Sequence, residues 1–179
     1  MSIAQIQIRY DENEDRLLLR FSTTGNCEYR FWLTRRFVKR LWTMLVRMLE
    51  WDQAVKQQVD PAARHEVLDI RHEGYAREAD YKTEFREQAR DAPRTMPLGD
   101  APVLLGRAEG KKQPGGAQIL SLRPMQGQGI DITCDTRLLH LFMRLLREQV
   151  AKTDWDVTLA LHEGQATAPA QPAQPRTVN

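Results

Sequence analysis

His65, Asp69 and His72 recur at i, i+4 and i+7, so a helix would carry two imidazoles and a carboxylate along one face. Such a set could grip a divalent metal and, with a coordination position left open, activate water. The run His65-Glu66-Val67-Leu68-Asp69-Ile70-Arg71-His72 departs from the H-E-x-x-H pattern because Asp stands at position 69. A helix-borne site also needs a fourth ligand and hydrogen-bonded support for its imidazoles. In a stretch this rich in charge, solvated side chains are the plainer reading, and the expectation is no metal and no cofactor.

Charge recognition is the other chemistry on offer. Arg36, Lys39, Arg40 and Arg47 gather on the polar side of one amphipathic stretch, and Arg137, His140, Arg144 and Arg147 on that of another. Two such ridges could track phosphates. Trp32, on the outward face of a strand beside Arg30, could offer a stacking surface to an unpaired base. The opposing reading is that charges on the wet side of a helix are what solubility requires. No helix-turn-helix, zinc-finger or RNP-like pattern accompanies them. The candidate binding residues are therefore Arg30, Trp32, Arg36, Arg40, Arg47, Arg144 and Arg147.

No G-x-S-x-G nucleophile elbow occurs, and no Gly-rich loop joins a strand to a helix. Gly115, Gly116, Gly127 and Gly129 lie between expected strands, where they serve hairpin turns rather than backing a phosphate with a helix N-terminus. Pro169 to Pro175 matches P-x-x-P twice, but an Ala- and Gln-rich end reads more simply as a flexible tail. The chain is thus expected not to be an enzyme.

The elements that must position these residues follow from periodicity. Ile6 to Tyr10, Leu17 to Phe21 and Cys27 to Leu33 read as strands, with Asp11-Glu12-Asn13-Glu14-Asp15 and Thr24-Gly25-Asn26 as turns. In the third strand Cys27, Tyr29, Phe31 and Leu33 share one face, and Glu28, Arg30 and Trp32 the other. Thr34 then caps a helix whose Phe37, Val38, Leu41, Trp42, Leu45, Met48 and Leu49 form one apolar stripe. The second half repeats the pattern: Val103 to Leu105, Gln118 to Leu122 and Ile130 to Cys134, then a helix over about 136 to 151. Alternation from Trp155 to Leu161 predicts a seventh strand.

Between the halves, Asp60-Pro61 opens a polar helical excursion to about residue 90, which Gly74 could break in two. Residues 163–179 are expected to be disordered. The predicted fold is α+β: a mostly antiparallel sheet of about seven strands, flat or folded over like a sandwich, from two pseudo-repeated βββα halves. Residues 1–162 form the single domain, with halves 1–57 and 100–162 joined by the helical connection 58–99.

Twenty-six Lys and Arg against twenty-four Asp and Glu leave a formal charge of +2 on 179 residues, so any polyanion must be met by a local patch. Cys27 and Cys134 stand far apart without a C-x-x-C partner, and no apolar run approaches a membrane span. A cytoplasmic protein is expected, with a protein partner or self-association, nucleic acid as the other option and no membrane. The function these features fit is a non-enzymatic protein-interaction or scaffold module; the alternative is a nucleic-acid-binding accessory protein using basic helix faces.

Overall fold

The computed structural model describes residues 3–51, 94–114 and 117–161. They form β1 (Ile3–Asp11), β2 (Arg16–Thr23), β3 (Glu28–Leu33), α1 (Arg35–Glu50), β4 (Val103–Lys112), β5 (Gln118–Pro124), β6 (Ile130–Cys134) and α2 (Thr136–Val150). The strands make one six-stranded sheet in the order β1-β2-β3-β4-β5-β6. Neighbours are antiparallel except at the centre, where β3 and β4 run parallel and Phe31 lies opposite Val103, Trp32 opposite Leu104. The architecture is α+β with a mostly antiparallel sheet.

Local chemistry explains most of these boundaries. The Asp11 carboxylate accepts hydrogen bonds from the amides of Asn13 and Glu14 (3.1 and 3.2 Å), closing the first hairpin loop, and Asp15 takes a left-handed φ of 47°. Asn26, at φ 60°, does the same for the second loop. Thr34 accepts from the Phe37 amide at 3.2 Å and Asp135 from the Leu138 amide at 2.7 Å, so each helix starts on a side-chain cap. Period-two alternation sends Ile6, Ile8, Leu17, Leu19, Phe21, Phe31 and Leu33 to one face of the sheet, all buried.

Both helices lie on that apolar face, and they cross over between the halves. α1 leaves β3 yet packs against β4, while α2 leaves β6 and packs against β1; the helices also touch each other. Gly110 makes the first contact possible, since a Cβ there would come within 2.9–3.0 Å of Met48 and Met44. At the other end Phe142 of α2 meets Phe21 edge-on, ring centroids 5.9 Å apart. Gln149 Oε1 accepts from the Tyr10 amide at 3.2 Å, so α2 also satisfies a donor on the edge strand β1. Each half therefore supplies the helix that covers strands of the other.

Two expectations change. The alternation from Trp155 to Leu161 does bury Trp155 and Leu159, but the segment joins no strand, and the described residues hold six strands rather than seven. Its polar partners lie elsewhere: the Trp42 indole donates to the Ala160 carbonyl at 2.7 Å and the Trp155 indole to the Asp15 carboxylate. Period two in this stretch reflects packing of an extended chain against helix and hairpin, not a ladder. Conversely, β4 runs seven residues beyond the expected end at Leu105, because pairing with β5 carries it through two glycines and several charges. The excursion with Gly74, the tail at 163–179, and His65, Asp69 and His72 lie outside the described residues. Among the described residues, no helix is long and apolar enough to cross a membrane.

The faces of α1 predict unequal mutational costs. Leu41 is fully buried, so Leu41→Ala should cost ~2–5 kcal/mol through lost transfer energy and a residual cavity, while exposed Arg40→Ala should cost under about 0.5 kcal/mol. Urea denaturation of the two variants checks this ordering; equal losses would contradict the burial of that stripe.

Candidate interaction surfaces

The outward side of α1 carries Arg35, Arg36, Lys39, Arg40 and Arg47, all exposed. None has an ion-pair partner among the described residues. Arg36, Arg40 and Arg47 fall at i, i+4 and i+11 and so line up along the helix. Arg35 and Arg36 occupy the first turn, which holds no acidic residue. Cations there oppose the helix dipole, so helix stability does not account for their placement. The first predicted ridge is present as a set of exposed cations along α1 that have no ion-pair partner among the described residues.

The second ridge is not. α2 is buried on most sides: Leu138, Leu139, Leu141, Phe142, Met143, Leu145 and Leu146 are all in the core, and His140 is buried with them. Arg144 is half-buried and lies 3.7 Å from Glu148, one turn along. Only Arg137 and Arg147 remain exposed. The polar face expected from period 3.6 is narrowed because α2 packs against both the sheet and α1.

The outward face of the sheet holds a feature that alternation alone missed. Glu28 points to this face as expected, yet its side chain is 2% exposed. Arg20 reaches Oε1 through Nε and Nη2 at 3.0 and 2.8 Å, Arg30 through Nε at 2.7 Å, and Arg94 reaches Oε2 at 2.7 Å. Burial alone would push the carboxyl up, but these hydrogen bonds outweigh it and hold Glu28 at about 2. Arg94 arrives from the segment before β4, which is pinned beside β3: the Glu28 amide donates to the Thr95 carbonyl at 2.9 Å and the Thr95 amide to the Asn26 carbonyl at 3.1 Å. The carboxylate thus fastens the entry to the second half onto the first. A lone acidic residue among arginines at positions 20, 30 and 94 was the available signal, but only pairing of β2 with β3 places Arg20 next to it.

Four residues along β3 from Glu28, Trp32 stands in a different row. The register places Arg9, Leu18, Trp32 and Leu104 side by side across β1 to β4 on the outward face. Leu104 is 46% exposed, and Met125, 65% exposed, lies against Gly106, where a Cβ would come within 2.5 Å of its Cγ and Sδ. Leu18, Trp32, Leu104 and Met125 thus make an apolar strip across the sheet. Further along, Arg107 pairs in register with Arg123, and Arg123 holds Asp131 at 2.7 Å. The candidate residues fall into separate groups: Arg30 and Trp32 on the sheet, Arg36, Arg40 and Arg47 on α1, Arg144 and Arg147 on α2.

Cys134 is buried, and burial pushes its thiol up to about 12, which suppresses the thiolate. Among the described residues no three His, Cys, Asp or Glu side chains gather as a metal site would require. No family model, no curated protein and no solved structure matches the chain.

Proposed function

We propose that this protein is a non-enzymatic interaction module that docks on an acidic partner protein through α1. The observation that carries the reading is the ridge of Arg35, Arg36, Lys39, Arg40 and Arg47, exposed and without a counter-charge among the described residues. Exposed charges of one sign steer association and set partner choice more than they stabilise a fold. We also read the two βββα halves as related by duplication, Thr34-Arg35 at the start of α1 matching Thr136-Arg137 at the start of α2, and residues 1–162 as one cooperative domain.

Duplex nucleic acid is the alternative occupant of the same ridge. Four phosphate contacts along α1 would give a log–log salt slope of about −4, at roughly −0.9 per contact. Capture on the immobilised full chain, from native-host extract with and without nuclease, distinguishes the two. Acidic proteins should be retained after nuclease treatment, released by salt and lost in the Arg36→Glu, Arg40→Glu variant. Retention unaffected by the charge reversal would end the proposal, and retention abolished by nuclease would replace it with the alternative.

A further inference from the structure

We propose that the outward face of the sheet is a binding surface for single-stranded nucleic acid, with Trp32 as its stacking platform. This surface lies on the opposite side of the sheet from the helices, and the proposal does not depend on the α1 ridge.

Three observations converge. First, the strip of Leu18, Trp32, Leu104 and Met125 leaves an aromatic ring and two large apolar side chains at least partly open to water, on a face where solubility would favour polar residues. Second, guanidinium groups border the strip on three sides. Arg9 ends its row on β1; Arg30 lies two residues before Trp32 on β3, and Arg107 three residues after Leu104 on the parallel strand β4. Arg9 and Arg107 are exposed and have no ion-pair partner among the described residues. Third, Arg30 is held in place by Glu28, at 2.7 Å, while a third of its side chain stays open to solvent. That makes it a positioned donor rather than a free-swinging one.

A row of stacking surface beside cations, about 7 Å away for two residues of strand, suits a chain whose bases and phosphates run side by side. An unpaired strand offers such bases; a duplex hides them in its stack. An acidic polypeptide without aromatic side chains would meet the cations but gives the indole no ring to stack on.

Fluorescence anisotropy tests this with a labelled oligothymidine strand, the same strand annealed to oligoadenine, and polyglutamate as competitor. The single strand should bind more tightly than the duplex, with a log–log salt slope of about −2 for three phosphate contacts at roughly −0.7 each. Trp32→Ala should weaken binding about tenfold or more, the scale of one stacked base, and Trp32→Phe should restore most of it. Met125→Glu, at a site too exposed to disturb the fold, should also weaken it about tenfold. No binding, equal affinity for duplex, competition by polyglutamate as strong as by unlabelled strand, or indifference to Met125→Glu would each overturn the proposal. So would loss through Arg36→Glu, Arg40→Glu alone, which would move the contact to α1.

Discussion

Residues 1–57 and 100–162, expressed as separate chains, should each fail to fold. In the whole protein α1 covers β4 and α2 covers β1, so either fragment keeps a helix without its strands and strands without their helix. The first would expose the stripe of Phe37, Val38, Leu41, Leu45 and Met48 together with the sheet residues Ile6, Ile8, Leu17, Leu19 and Phe21. A unit of ~60 residues is marginal even when its own elements cover each other. Circular dichroism and thermal melts should show no cooperative transition for either fragment, and mixing the two should restore one. A sharp, independent melt for each fragment would show that the halves close on themselves.

Glu28→Gln should cost ~2–3 kcal/mol near neutral pH, because it removes a buried carboxylate to which three partly exposed guanidinium groups donate. The effect carries a pH signature. The folded-state value of about 2 lies below the ordinary 4.5, so the folded protein favours the charged form. The carboxylate therefore contributes fully above about 4.5, and its contribution fades as pH falls from there through about 2. A shift of this size corresponds to ~3 kcal/mol at the upper end. Urea denaturation of wild type and Glu28→Gln should show a wide stability gap at pH 6 that closes on approach to pH 2. A gap that stays constant with pH would mean that Glu28 acts through packing rather than charge.

Glu28 also shows where sequence reading stops. Alternation correctly puts it on the outward face of β3, and polar residues on such a face are ordinarily wet. Its burial depends on Arg20 from the neighbouring strand and on Arg94 from a segment 66 residues away. Nothing within a few positions of Glu28 encodes either. His140 is the mirror case: period 3.6 assigns it to a polar face, and it is buried because α2 has little polar face left once it packs against the sheet and α1.

What the sequence determined by itself is local. Strands at β1, β2 and β3, the stripe on α1, the Thr34 cap and the turn residues Asp15 and Asn26 depend on periodicity and side-chain to backbone hydrogen bonds that span four residues or fewer. Tertiary structure alone decided that β3 and β4 pair in parallel, that each helix covers the other half, that β4 continues through Gly106 and Gly110, and that Trp155 to Leu161 packs without pairing. These outcomes compare distant surfaces competing for the same apolar face. Their free energies belong to pairs of elements, so no single stretch of chain carries them.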